Sequence, residues 1–403
     1  MSVDILLALV QAPVAIPEPT ELAIRYHRSG NALWALNTII GFALPSAILW
    51  FGWSARMRDL ARRTGRGWVG TLLLYVVLFI LLTTLLTLPL DFYQGYVREH
   101  AYGLSNQTLG KWASDAATSL AIGLVVGPPL AIVPYLLLRK SPRRWWLGAG
   151  LAALPILIVV YIVVPVWILP LYNRYGPLSD KALESRILEQ AARAGIEGSR
   201  VYQVEKSVDT RTVGAFVVGF GTTKRIVLYD TLLEKLTPEE ILFVVGHEMG
   251  HYVLRHIVLL LVLNCLLTLG SLWVVHRTAG ALLARYGERF GFHRLDDPAS
   301  LPLLLLLASL AAFVAQPFAL AASRRLEHEA DRFGLELTRD SRAAATAFVK
   351  LQEENLMVPR PAAIYEVWRA SHPSLADRIT FCNEYHPWTT GAPLRHGDRF
   401  AAD

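Results

Sequence analysis

The chain has 403 residues, 53% of them hydrophobic and only 18% charged. Soluble domains carry about 25% charged residues, and here the apolar excess falls in blocks, which excludes an ordinary soluble protein and indicates an integral membrane one. The net charge of +6 does not indicate nucleic acid, because the basic residues cluster beside apolar blocks, as at Arg56, Arg58, Arg62, Arg63 and Arg66, without interleaved aromatic patches.

Residues 1–16 form an apolar run too short to span a bilayer and lacking the basic start of a signal peptide. Four longer blocks follow, Ala32 to Trp53, Trp68 to Leu90, Ala116 to Leu138 and Trp145 to Leu169. Each is long enough to cross a hydrocarbon core, and tryptophans sit at their ends, where the interface favours them. From Tyr172 to Val245 the composition is that of a soluble domain. Leu183, Ile187, Ala191 and Ala194 recur at helical spacing, and Gly195 follows as a C-cap. Strands are predicted at Val201–Glu205, Val213–Phe220 and Arg225–Tyr229, with Gly221-Thr222-Thr223 as a hairpin turn. Thr237-Pro-Glu-Glu240 then supplies an N-cap, a first-position proline and a capping-box glutamate, so a helix starts near Pro238. That helix is expected to run into a fifth apolar block, Val253–Val275. A basic loop follows, and Leu301–Ala322 is the sixth block. The last eighty residues read as polar helices ending in a loose tail rich in Gly, Pro and Asp. Cys265 and Cys382 supply no disulfide framework.

The chemistry lies in His247-Glu-Met-Gly-His251. Residues four apart on a helix share a face, so both imidazoles can reach one ion, and Glu248 beside the first can take a proton from a metal-activated water. A catalytic zinc needs a third protein ligand and an open position. No third histidine follows at close spacing, so the ligand must come from another helix. Ser323-Arg-Arg-Leu-Glu-His-Glu-Ala-Asp331, past the sixth block, offers Glu327, His328 and Glu329, with Asp331 on the same face as Glu327 as a carboxylate able to orient a ligand. His256 falls five residues after His251, off the ligand face, and reads as an interfacial residue; His100, His276, His293, His386 and His396 have no partner at metal spacing.

These segments resemble the integral-membrane zinc endopeptidases typified by the type 1 CAAX prenyl protease. In that family the zinc helix is followed two spans later by Ser-Arg-x-x-Glu-x-x-Ala-Asp, matched here from Ser323 to Asp331, and the glutamate after Ser-Arg corresponds to Glu327. Leu88-Pro89, Asp91-Phe92-Tyr93, Glu99, Tyr102 to Thr108, Arg225 to Leu233 and His372 to Arg378 extend the match. The resemblance implies one Zn2+ per chain on His247, His251 and Glu327, with His372 and Arg378 near the scissile carbonyl. It also implies a substrate-pairing edge strand at Gly214-Ala215-Phe216, where the family's asparagine is absent. The implied fold is a mainly α membrane protein whose six or so transmembrane helices form a helical chamber. To these is joined an α+β, gluzincin-type catalytic domain with a small sheet; the eukaryotic members have seven spans, and the first is missing here.

The expected domains are 1–170, with four spans; 171–252, with the sheet and zinc helix; 253–322, with spans five and six; and 323–403, with the C-terminal catalytic helices. The expected function is zinc-dependent endoproteolysis of peptides or membrane-associated proteins, with peptide substrate and membrane lipid as partners and no nucleic acid. The alternatives are CAAX-type processing of prenylated peptides and a non-catalytic membrane chaperone with a vestigial zinc site. Basic residues in 54–67, 139–144 and 276–300 point to an extracytoplasmic catalytic domain in a plasma membrane.

Overall fold

The computed structural model describes residues 12–196, 198–218 and 225–400. The chain forms two compact units. One gathers Ser29–Tyr172 and Leu259–Ala319; the other gathers the N-terminal segment through Arg28, Asn173–Val258 and the chain from Leu320 onward.

The first unit is helical. Its elements are α1 (Glu21–Trp50), α2 (Trp53–Thr64), α3 (Gly67–Phe92), α4 (Leu109–Lys140) and α5 (Trp145–Val163), with α9 (His256–Phe290) and α10 (Leu301–Thr338) entering later in the chain. A π turn at Tyr93–Val97 carries α3 on to Ala101, and another at Val164–Ile168 prolongs α5. Among the described residues six helices are long and apolar enough to cross a membrane, the six expected, while α2 is not. Most of these helices outrun their apolar blocks at one end, because helix propensity persists where hydrophobicity stops. Thus α1 starts at Glu21 rather than Ala32, and the basic stretch expected as a loop after the fifth block is helical as far as Phe290. Residues Trp53–Thr64 form α2, and α9 carries Arg277, Arg285 and Arg289 as far as Phe290.

The inner face of α2 is fixed by polar contacts. Ser54 Oγ donates to the Ala299 carbonyl at 2.6 Å and lies 2.7 Å from Tyr75 Oη. The buried Arg58 pairs with Asp297 at 3.0 Å and donates to the Gly291 carbonyl at 2.9 Å. Tyr135 Oη lies 2.9 Å from Ser300 Oγ, and the Arg139 guanidinium sits 5.1 Å from the Trp68 ring. The segments 54–67, 139–144 and 291–300 therefore meet at one end of this unit. Leu72, Tyr75, Tyr135, Leu138, Trp145 and Val275 form the core beside them.

The second unit is built on a four-stranded mixed sheet. Its strands are β1 (Tyr175–Pro177), β2 (Arg200–Val204), β3 (Ala215–Val218) and β4 (Arg225–Tyr229), in the order β1-β2-β4-β3. β2 and β4 are parallel, Val201 opposite Ile226, and the two outer pairs are antiparallel. β3 pairs with β4 from Ala215–Leu228 to Val218–Arg225, so it closes the sheet as an edge strand among the described residues. The expected turn at Gly221-Thr222-Thr223 lies outside the described residues. β1 had no sequence signal, being three residues long around a glycine and a proline.

Helices α6 (Lys181–Arg193), α7 (Asp230–Lys235), α8 (Pro238–Val253), α11 (Ser341–Glu354), α12 (Ala363–Trp368), α13 (Leu375–Glu384) and α14 (Pro387–Thr390) complete the unit. α6 buries Leu183, Ile187 and Ala191 and stops at Gly195, whose φ of 68° favours glycine. The core joins Ile187, Val201, Ile226, Leu228, Phe243, Phe333, Phe348 and Ile379. Val14 and Ile16 pack against that core, and the Asn383 side chain bonds both backbone groups of Val14, so this part of the N-terminal apolar run belongs to the sheet-bearing unit rather than to a span. Nor is the tail loose. The fully buried Glu336 carboxylate accepts from Tyr385 Oη and from the backbone nitrogens of Arg395 and His396, a tether that composition cannot reveal.

Candidate metal centre

The helix carrying the two histidines starts as predicted. Thr237 Oγ1 accepts from the Glu240 nitrogen, the Glu240 carboxylate accepts from the Thr237 nitrogen at 2.7 Å, and Pro238 stands first. It does not, however, continue into the fifth span. It ends at Val253, Arg255 takes a φ of 57°, and α9 begins at His256.

His247 and His251 share one face of α8, as Glu327 and Asp331 share one face of α10. Two glycines let these helices meet. A Cβ at Gly334 would lie 2.9 Å from the His247 backbone nitrogen, and one at Gly250 would lie 3.1 Å from Phe333 Cβ. Contacts that short would force the backbones apart and draw Glu327 away from the histidines.

His247 Nε2 lies 3.3 Å from Glu327 Oε2, and His251 Nε2 lies 3.3 Å from Glu327 Oε1. One ligand atom from each of the three residues falls within 4.8 Å of the other two. Two imidazoles and a carboxylate are the protein donor set of a catalytic zinc site. Burial works against a charged His247, yet hydrogen bonds to Asp331 and Glu327 outweigh it and push the imidazole up to about 10.

His247 Nδ1 donates to Asp331 Oδ1 at 2.8 Å, and Arg378 Nε and Nη2 donate to the same carboxylate at 2.8 and 2.5 Å. Asp331 is 1% exposed and Arg378 9%. The guanidinium therefore lies on the Nδ1 side of His247, away from the Nε2 that faces Glu327. Asp331 engages two of the guanidinium nitrogens.

His372 lies with the cluster. Its Nδ1 is 2.6 Å from Glu327 Oε2, and its side chain is 52% exposed. Arg324, one turn before Glu327, donates to the carbonyls of Glu366 and Ala370 at 2.6 and 2.8 Å and so fixes the segment leading to His372. Glu248 has no hydrogen-bond partner among the described residues. Burial raises its carboxyl above the ordinary value, with His247 and His251 opposing. The other two ligand candidates point elsewhere: Glu329 pairs with Arg332 at 2.5 Å and His396 at 3.2 Å, and His328 accepts from Arg332 at 3.0 Å.

Sequence reasoning missed one residue at the cluster. His256 Nδ1 lies 3.0 Å from His251 Nδ1. A five-residue offset points away on one continuous helix, but Arg255 breaks the helix and turns His256 back. No residue type at positions 254 and 255 announces that break. Gly214, Ala215 and Phe216 lie at the start of β3, where the Gly214 carbonyl accepts from the Tyr229 nitrogen at 3.1 Å.

The family model described as peptidase family M48 matches residues 177–386, and that described as CAAX prenyl protease N-terminal, five membrane helices, matches residues 16–174. The uncharacterized metalloprotease YhfN of Bacillus subtilis (strain 168) is 36% identical over 369 residues, covering 91% of this chain and 86% of its own. CAAX prenyl protease 1 of Saccharomyces cerevisiae is 29% identical over 324 residues, 74% of this chain and 69% of its own. The crystal structure of S. mikatae Ste24p superposes with a TM-score of 0.75 at 24% identity, covering 89% of this chain and 87% of its own, a likeness of fold. With its six apolar helices and its His-His-Glu cluster, the chain belongs to peptidase family M48 and is a multi-pass membrane zinc metalloendopeptidase.

Proposed function

We propose that the chain cuts peptides or membrane-associated proteins at one zinc ion held by His247, His251 and Glu327. The convergence of those three donors within 4.8 Å carries the proposal. When bound, zinc polarises the scissile carbonyl and lowers the pKa of a water molecule to about 7. Glu248 takes the proton from the attacking water and passes it to the leaving amine nitrogen. Asp331 holds His247 in the tautomer that leaves Nε2 available, and Arg378 orients Asp331 in turn. His256 steadies His251 in the same manner. His372, half exposed beside Glu327, donates to the developing oxyanion, and Arg324 keeps it within reach. The substrate backbone adds to the edge of β3 at Gly214, Ala215 and Phe216, which presents its carbonyls in a fixed register.

The relatives named CAAX prenyl protease 1 favour a second reading, in which the peptide carries a prenyl group. Purified full-length protein, given a peptide library together with farnesylated and unmodified forms of one peptide, should cut unmodified peptides. Cleavage confined to the farnesylated form would establish the second reading instead. No cleavage of any peptide by zinc-loaded protein would remove both.

The metal centre faces the extracytoplasmic side. The segments 54–67, 139–144 and 276–300 carry Arg56, Arg58, Arg62, Arg63 and Arg66; Arg139, Lys140, Arg143 and Arg144; and Arg277, Arg285, Arg289 and Arg294. The connection after the second span holds only Arg98 and Lys111. Short-segment Lys and Arg set orientation, while long domains translocate largely regardless of charge. Single cysteines at the exposed Ser179 and Thr64, in a background lacking the native two, report the outcome with a membrane-impermeant thiol reagent on intact cells. Ser179→Cys should label and Thr64→Cys should not; the reverse pattern inverts the orientation.

A further inference from the structure

The two faces of α2 have different fates. Ser54, Arg58 and Ala61 are buried, with Arg58 bound to Asp297 and the Gly291 carbonyl. On the other face Trp53, Arg56, Leu60 and Arg63 follow one another at helical spacing and are all exposed. Arg56 and Arg63 have no ion-pair partner among the described residues, although Asp59 and Asp297 neutralise their neighbours Arg58 and Arg62.

Beside this face lies a cleft of about 380 Å³ between α2 and α3, lined by Trp53, Arg56, Met57, Leu78 and Leu82. Four of its lining residues are apolar and the fifth is Arg56. Leu78 and Leu82 sit one turn apart on a membrane-spanning helix, so a wall of the cleft is formed by a span. Leu60, 49% exposed between Arg56 and Arg63, adds an apolar contact at the same level. Apolar and basic residues on one open face of a helix suit contact with acyl chains and anionic headgroups together. A soluble anion would gain nothing from Trp53, Met57, Leu78 and Leu82. A neutral lipid would leave Arg56 and Arg63 without a counter-charge.

We propose that α2 and α3 form a binding site for one anionic phospholipid, its acyl chain in the cleft and its phosphate on Arg56 and Arg63. The site is separate from the metal centre and uses none of its residues. Each basic side chain near an anionic surface is worth about fivefold in binding, so removing two should cost at least about tenfold.

The test is native mass spectrometry of the full-length protein with phosphatidylglycerol and phosphatidylcholine of identical acyl chains. The parent should retain phosphatidylglycerol about tenfold over phosphatidylcholine. Arg56→Gln/Arg63→Gln should bring the two lipids to parity, whereas Arg143→Gln/Arg144→Gln, which also removes two charges but lies outside the cleft, should keep the preference. Excess glycerol 3-phosphate, a headgroup without chains, should not displace the lipid. Parity in the parent, equal loss in both double variants, or displacement by glycerol 3-phosphate would each overturn the proposal. Zinc content serves as the check that every variant is folded.

Discussion

Glu248→Gln should leave zinc bound and abolish peptide hydrolysis. The substitution keeps the size of the side chain and touches none of the three proposed metal donors, His247, His251 and Glu327. What it removes is a carboxylate with no hydrogen-bond partner among the described residues, whose affinity for a proton burial raises above that of an ordinary glutamate. Loss of a general base typically costs at least about 100-fold in rate. Metal analysis and turnover on a peptide cut by the parent, measured on one preparation, separate the two effects. Near-parental hydrolysis in this variant would remove Glu248 from the mechanism.

The second large effect divides two glutamates only two positions apart. Glu327→Ala should lose zinc, since it deletes the carboxylate that spans both imidazoles at 3.3 Å and leaves two histidines to hold the ion. It also deprives His372 of its partner. Glu329→Ala should keep the metal, because that carboxylate is engaged by Arg332 and His396 on another side of α10. Zinc retained in the first variant and lost in the second would assign the ligand to the wrong residue.

Much of this site could be read before any fold was known, for reasons that differ between its parts. The pair His247 and His251 was legible because helical periodicity alone puts residues four apart on one face, and the start of that helix is marked by its own cap. The third ligand was not fixed by chemistry, since Glu327, His328 and Glu329 all carry suitable atoms; only the family register separated them, and the structure shows His328 and Glu329 turned toward Arg332. His256 was misread because the rule applied to it assumed an unbroken helix, whereas Arg255 in the left-handed region ends one helix and starts another. The pairing of Arg378 with Asp331 was not legible, for it joins α10 to α13 across 47 positions of sequence. Gly250 and Gly334, which set how closely α8 and α10 approach, have no periodic or chemical signature at all.

The membrane helices show the opposite balance. Their number followed from apolar length, since crossing a bilayer takes about 20 apolar residues. Their ends did not, because Arg25, Arg285 and Arg289 are unfavourable in hydrocarbon yet entirely acceptable in a helix.

The most direct test of the account is the zinc content of the purified full-length protein, followed through chelation and reconstitution with peptidase activity read on the same samples. The expected result is one zinc per chain, loss of activity as zinc is withdrawn, and recovery when about one equivalent is returned. Hydrolysis that persists at the parental rate in protein shown to be free of metal would contradict it.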